Sequence, residues 1–286
     1  MNVQEKLQSK KNAIERSLDN FLPVEKNPLA EAMRYAVLSG GKRFRPLLAL
    51  SSGDCFELDQ ADVLPFGCAL EMIHNYSLVH DDLPLMDDDD FRRGRPSCHK
   101  VFGEDIALLA GDCLLTLAFE ILVSAAWEES KSARKNRMIR EIARCAGIQG
   151  MAGGQLLDLT LTLDVLSEDA LHDLMAKKTG ALILTSVRVG PILAGASSSL
   201  VQAMTDYGKN LGLAFQLRDD ILDSEHFTSQ DPPQHPNAAS FYGVDEAKKK
   251  LERHIQSALN SLSSASIESE ELQFLATKLL DLKQEK

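Results

Sequence analysis

Residues 69–94, from Ala69 to Gly94, read ALEMIHNYSLVHDDLPLMDDDDFRRG, and the pattern changes character halfway along. The first half is helical. Ala69, Leu70, Ile73, Ser77 and the His80/Asp81 pair recur at spacings of three and four, the period of one helix face. The second half places six aspartates in ten consecutive positions, 81–90, followed by Arg92-Arg93-Gly94. Pro84 disfavours helix at Leu83, so Asp81 and Asp82 fall at a helix C-terminus, which already carries partial negative charge. Two carboxylates about 4 Å apart repel by roughly 4 kcal/mol at an effective dielectric near 20. Water, a cation or disorder of the loop must relieve that repulsion, and the misfit at the helix end favours a cation.

The helical period continues outward from this stretch. Leu171, Leu174, Met175, Lys178, Ala181 and Leu182 repeat it, while strand-like alternation is nearly absent and aromatics make up only 6% of the chain. Breakers come at helix lengths: Pro23 and Pro28, Gly40-Gly41, Pro65, Gly94 with Pro96, Gly153-Gly154, Gly190-Pro191, and the segment Ser229–Asn237. The expectation is an all-α fold of about ten helices in a single large domain over residues 1–286, without internal repeats. Three prolines in nine residues make Ser229–Asn237 a surface loop. From Asp245 onward the pattern is helical, with Lys and Glu on a solvated face.

Composition narrows the function. The 286 residues are 44% hydrophobic and 26% charged, with a net charge of −11, so the basic face of a nucleic-acid binder is not expected. Five scattered cysteines without a CxxC pair read as reduced thiols in a cytoplasmic protein. The N-terminal residues are charged and amphipathic without an apolar core, so no signal peptide is expected there. Ile106–Trp127 is long enough to span a bilayer, but Asp112 lies near its middle, at a cost of at least about 3 kcal/mol in lipid. A buried central helix is the expectation there, not a membrane span.

Oxygen-only ligands favour a hard cation such as Mg²⁺, Mn²⁺ or Ca²⁺. The EF-hand pattern fails, lacking a glycine at the sixth loop position and a glutamate at the twelfth. Arg92-Arg93 suits phosphate, so the acid run and arginine pair suggest a magnesium–diphosphate site; a solvated acidic loop tip is the plainer alternative. A second cluster, FQLRDDILD over Phe215–Asp223, sets Gln216, Asp220 and Asp223 on one helix face with Asp219 beside them. Burying such acids is costly unless they are paired or ligate metal; the alternative is a solvated edge paired with Arg218. In SGGKRFRP, residues 39–46, Lys42, Arg43 and Arg45 lie around a helix N-terminus, which favours an anion, or they sit on an exposed turn. His74 shares the face of Asp81 and could donate to a phosphate oxygen, though a structural histidine is the plainer reading. Lys178-Thr179-Gly180 offers a cation and a hydroxyl, or simply a helix end. Gln155 and Asp158 enter an apolar run, as core hydrogen-bonding groups or site groups.

GGKRFRP, EMIHNYSLVHDDLPLMDDDDFRRGRPSCH, GGQLLDL, KKTGALI and FQLRDDILD, in this order, together resemble the trans-polyprenyl diphosphate synthase family, in particular its bacterial farnesyl diphosphate synthase branch. The resemblance runs through nearly the whole chain. It implies helices around a central cavity, usually in a homodimer, and head-to-tail condensation of isopentenyl diphosphate with an allylic diphosphate. It implies that Asp81, Asp82, Asp87 and Asp88, with Asp219, Asp220 and Asp223, hold about three Mg²⁺ (Mn²⁺ being an alternative) on the allylic diphosphate. Arg92, Lys178, Thr179 and Gln216 would contact that substrate, and Lys42, Arg45, His74 and Arg93 would hold isopentenyl diphosphate. Asp81, Asp82, Asp219 and Lys178 would be the catalytic residues.

By the same resemblance Tyr76, five residues before Asp81, is a bulky floor that favours a C15 over a C20 product. The chain also departs from the family. After the second acid motif a Leu-Gly-Lys stretch is missing, and the usual lysine of a Lys-x-Thr-Tyr stretch is replaced by His235 in His235-Pro-Asn-Ala238. Catalysis is expected to survive, with pH-dependent substrate binding a consequence of the histidine. A geranylgeranyl diphosphate synthase, a terpene cyclase and a weakened prenyl-diphosphate-binding partner subunit are the competing readings.

Overall fold

The computed structural model describes residues 2–162, 166–224 and 235–283. Most of the Ser229–Asn237 segment therefore lies outside the described residues. Among those described, helices dominate, and they group into two compact units: residues 1–50 with 58–132, and residues 51–57 with 133–286.

The first unit holds α1 (Val3–Phe21), α2 (Pro28–Leu38), the start of α3 (Phe44–Asp54), α4 (Gln60–Asp81), α5 (Cys98–Phe102) and α6 (Glu104–Ser124). Local chemistry starts these helices. Asn2 accepts from the Glu5 backbone N–H while the Glu5 carboxylate accepts from the Asn2 N–H, a reciprocal cap. Asn27 caps α2, with Pro28 at the first helical position. The core is the contact of α4 with α6. Val63, Phe66, Ala69, Leu70, Met72 and Ile73 are buried on α4. On α6, Ala107, Ala110, Gly111, Leu114, Ala118, Ile121 and Leu122 form one buried stripe.

The stretch 106–127, expected as a buried central helix, is buried along one face. The helix ends at Ser124, and only 39% of its most apolar window is buried. Leu108, Leu109 and Val123 stay 45%, 48% and 67% exposed, outside the stripe that packs within the unit, where α4, α2 and α5 contact α6.

The second unit contains α7 (Ser132–Ala146), α8 (Met151–Thr160), α9 (Glu168–Met175), α10 (Ala181–Ala194), α11 (Ser198–Asp223), α12 (Ala238–Tyr242), α13 (Val244–Ser264) and α14 (Glu270–Thr277). Its centre is α11, which packs against α10 and α13. The α13 stripe Ala247, Leu251, Ile255, Ala258 and Leu262 is buried, with the Lys and Glu residues on its outer face. Tyr207 of α11 is fully buried, and its hydroxyl donates to the Leu272 carbonyl at 2.8 Å.

Three expected breaks lie inside helices: Pro65 in α4, Gly153-Gly154 in α8 and Gly190-Pro191 in α10. At Gly190 the reason is close approach. A Cβ there would fall 2.3 Å from the Ser52 carbonyl oxygen, so the glycine serves packing, not termination. Lys178-Thr179-Gly180 is not a helix end either. Residues Ala176–Gly180 form a π-turn that carries α9 straight into α10, and such turns often mark functional positions. Among the described residues the one strand pairing is a small hairpin, β1 (Phe91–Arg92) with β2 (Arg95–Pro96), antiparallel, with Arg92 paired to Arg95. Arg93 and Gly94 between the strands have φ of 55° and 72°, as a two-residue hairpin turn requires.

Candidate active site

In the first unit, α4 ends at Asp81 and the chain folds back over its own terminus. The Asp87 N–H donates to the Asp81 carbonyl at 2.8 Å, and the Met86 and Asp88 N–H groups donate to the Leu83 carbonyl at 2.8 and 3.2 Å. Helix-end carbonyls are thereby satisfied by the loop itself, and Asp87 is tied next to Asp81. Asp81 is half-buried, Asp82 buried, and Asp87 and Asp88 exposed.

The crowding read from the sequence is relieved in part by the hairpin that follows. Arg92 donates to Asp82 Oδ1 from Nε at 2.8 Å and from Nη2 at 2.5 Å, and to Asp89 at 2.7 Å. Burial pushes the Asp82 carboxyl above its ordinary pKa, and the Arg92 guanidinium opposes that shift. A buried acid at a helix C-terminus is thus held by one arginine that the hairpin presents to it. Arg93 is carried on the same turn and donates to the Gly40 carbonyl at 2.7 Å and to Asn75 Oδ1 at 3.3 Å.

The SGGKRFRP segment separates into two roles. Arg43 is 1% exposed and donates to Glu15 at 2.8 and 3.1 Å, to Glu71 at 2.8 Å and to the Val37 carbonyl at 2.7 Å. It is a structural hub. Lys42, beside it, is exposed, and Arg45 is buried within the first turn of α3. His74 lies among these cations. Burial, with Arg45, Arg93, Arg43 and Arg92 adding to it, holds the imidazole well below its usual pKa. His74 is therefore neutral at pH 7, able to donate one N–H to an anion without adding charge.

The second cluster is internal to the second unit. Thr179, on the π-turn, donates its hydroxyl to Gln216 Oε1, and Gln216 Nε2 donates to Asp220 Oδ1 at 2.7 Å. Asp220 Oδ2 accepts from the Ala238 backbone N–H at 2.7 Å. Asp220 is 5% exposed, and its pKa is pushed up to about 7. Burial is the largest cause; the Ala238 and Gln216 hydrogen bonds oppose it, and Asp219 and Asp223 reinforce it. Asp219 has the Arg218 Nη1 at 3.6 Å, the pairing weighed for this helix edge. Asp223 is exposed at the end of α11.

Lys178 donates to Asp158 at 2.5 Å, and the His235 ring lies 3.8 Å from the same carboxylate oxygen. Gly154 makes this meeting possible: a Cβ there would stand 2.2 Å from the Lys178 backbone nitrogen, so only glycine lets α8 lie this close to the π-turn. His235 and Lys178 are thus brought to the same carboxylate oxygen. Sequence reasoning left Asp158 between core and site. The signal was present, an acid four positions after a Gly-Gly pair in an otherwise apolar run, but its partner is twenty residues away. Glu71 and Asn75, the buried acid and amide of α4 that meet Arg43 and Arg93, were missed. Their spacing of four on the buried face of an apolar helix was the available sign.

The donor sets suit divalent cations. Both clusters offer carboxylate oxygens, and Asp220, buried between Asp219 and Asp223 and titrating near neutrality, is an acid that holds its charge poorly until a cation joins it.

Comparison with known proteins gives these clusters a common context. A polyprenyl synthetase family model matches residues 26–231, a range that contains both acid clusters, the π-turn and the hairpin. A farnesyl diphosphate synthase of Geobacillus stearothermophilus is 39% identical over 285 residues, covering 96% of each chain. A geranylgeranyl diphosphate synthase of Cyanophora paradoxa is 37% identical over 271 residues, covering 88% of this chain and 87% of its own. The crystal structure of an FPP/GFPP synthase from Zymomonas mobilis superposes with a TM-score of 0.87 at 34% identity, covering 98% of this chain and 99% of that one. Helical architecture, acid motifs and near-full-length identity agree, and the chain belongs to the polyprenyl synthetase family, the metal-dependent trans-prenyltransferases.

Proposed function

We propose that this prenyltransferase is a farnesyl diphosphate synthase, condensing isopentenyl diphosphate with dimethylallyl or geranyl diphosphate to a C15 product, in a single 1–286 polyprenyl synthetase domain. The observation that carries the reading is the near-full-length identity to a farnesyl diphosphate synthase, in a chain that forms both acid clusters and the arginine hairpin. Asp81, Asp82, Asp87 and Asp88, with Asp219, Asp220 and Asp223, are assigned to about three Mg²⁺ ions, Mn²⁺ being the alternative. When bound, these ions supply positive charge to the departing diphosphate of the allylic substrate. Arg92, Lys178, Thr179 and Gln216 orient that diphosphate and share its charge. Lys42, Arg45, Arg93 and neutral His74 hold the diphosphate of the isopentenyl substrate. The C–O bond of the allylic substrate breaks, the isopentenyl double bond attacks the cation, and a proton leaves to the departed diphosphate. No protein base is required, and apolar walls keep water from the cation.

Chain length is assigned through Tyr76, which lies on α4 with its ring edge-on to His80 at 5.7 Å between centroids. Products from labelled isopentenyl diphosphate with dimethylallyl and geranyl diphosphate as separate starters should be C15 in both cases, and Tyr76→Ala should shift most product to C20 or longer. Predominantly C20 product from the unaltered chain would select the second reading, a geranylgeranyl diphosphate synthase, which the Cyanophora relative favours. No turnover at all would select the weakened partner subunit, for which His235 in place of lysine is the support.

We assign the protein to the cytoplasm and to a homodimer. The exposed apolar residues of α6 support the dimer: Leu108 and Leu109 are 45% and 48% exposed, a face that a second copy would cover. Leu108→Lys combined with Leu109→Lys should convert a dimer to a monomer in light scattering coupled to gel filtration. An unaltered mass in the double variant would exclude this face.

A further inference from the structure

The run of acids that begins at Asp81 does not end with the residues assigned to diphosphate. Asp88, Asp90 and His99 each offer one ligand atom, and the three atoms lie within 4.8 Å of one another. His99 is 6% exposed, and neither ring nitrogen has a hydrogen-bond partner. A buried imidazole left in that state is costly, and buried polar groups nearly always find partners.

The two carboxylates are held in place by backbone, not by chance of a surface loop. Asp88 has φ of 51°, and its N–H donates to the Leu83 carbonyl at 3.2 Å. The Asp90 carbonyl accepts from the Ser97 N–H at 2.9 Å, across the base of the β1–β2 hairpin. Ser97 is buried and immediately precedes α5, and its hydroxyl donates to the Asp89 carbonyl. The hairpin therefore returns the chain so that His99, in the first turn of α5, comes beside Asp88 and Asp90. Lys100 pairs with Asp90 Oδ1 at 2.6 Å and holds that carboxyl below its usual pKa.

We propose that Asp88, Asp90 and His99 form a binding site for a first-row divalent cation of the Zn²⁺ type, separate from the ions on the allylic diphosphate. The donor set decides the class. One imidazole nitrogen with two carboxylate oxygens suits Zn²⁺, whereas Mg²⁺ takes oxygen only. Ligand bonds of about 2.0–2.2 Å would need the three atoms somewhat closer together than they are. Both carboxylates are exposed side chains with room to close around an ion, and water completes a four-coordinate shell. Bound here, the ion removes the orphaned imidazole and the repulsion of the last acids of the run together. It also ties the loop after Asp87 to α5 across the hairpin that carries Arg92 and Arg93. Asp88 is then common to this site and to the acids assigned to the substrate's ions.

The test uses the full chain freed of metal by chelator and returned to buffer with millimolar Mg²⁺, which saturates oxygen-only sites. Zn²⁺ is titrated against a chromophoric chelator, and Co²⁺ is added separately as a spectroscopic probe. One Zn²⁺ per chain is expected, weakened at least ~10-fold in His99→Asn and in Asp90→Asn. Co²⁺ should give the visible band of a nitrogen–oxygen site, lost in both variants. Asp90 is on the surface, so Asp90→Asn decides the matter even if His99→Asn fails to fold. Absence of Zn²⁺ binding above Mg²⁺, an affinity indifferent to Asp90→Asn, or thiolate charge-transfer absorption from the cysteines would overturn the proposal. None of these readouts needs turnover, so the result stands whichever prenyl product the protein makes.

Discussion

Asp81→Ala and Asp219→Ala are each expected to lower turnover of labelled isopentenyl and geranyl diphosphates by roughly 10²–10³-fold, the scale seen when one group stabilising transition-state charge is removed. Neither acid carries the fold. Asp81 is half-buried at the last turn of α4, and Asp219 is half-buried with Arg218 at 3.6 Å. Circular dichroism and the melting temperature should therefore stay near those of the unaltered chain. The informative measurement is the double variant. Residues that act as a unit on one transition state show strongly non-additive losses, so a double variant little worse than either single one would place both acids on the same diphosphate. Fully multiplicative losses would mean that each acid acts on a different step or substrate. Single variants with near-normal rates, or an enzyme unaffected by chelator, would remove both clusters from the chemistry.

What the sequence disclosed and what it withheld divide along physical lines. Helix was legible because α13 keeps an apolar stripe over 21 residues and α4 and α11 are long runs without strand-like alternation. The acid clusters were legible because aspartates at a helix end or on an apolar helix contradict local stability. Helix ends were less legible. Gly153-Gly154 and Gly190 look like terminators, yet they mark where one element must touch another's backbone, and only the fold reveals which neighbour is there. The π-turn under Lys178 and Thr179 leaves no compositional mark, because Ala-Lys-Lys-Thr-Gly suits a helix end equally well. Arg43 and Arg45 are two positions apart in one basic run, and nothing local says that the first is enclosed by Glu15 and Glu71. That partnership spans 28 residues in each direction.

Arg43→Met is accordingly expected to act on folding and not on chemistry. Arg43 is enclosed, and its guanidinium donates to protein groups: the Glu15 carboxylate from two sides, Glu71 and the Val37 carbonyl. Burial works against its charge, and hydrogen bonds and Coulombic attraction to Glu15 and Glu71 more than offset it, so its pKa lies above the ordinary guanidinium value. Removing the cation leaves Glu71, 2% exposed, with a buried negative charge facing only Asn75 and the more distant Arg93. Breaking a buried pair from one side costs about 3–5 kcal/mol, much of it the penalty on the partner left behind. A loss of that size should appear as a clear fall in the denaturant midpoint. Replacing Glu71 by Gln as well should recover part of it, because the stranded charge is then gone. Activity per folded molecule, measured well below the midpoint, should remain within a few-fold of normal, in contrast to the aspartate variants. If Arg43→Met kept its stability and lost turnover instead, Arg43 would belong with Lys42 and Arg45 as a substrate-binding residue, and the basic segment would have one role, not two.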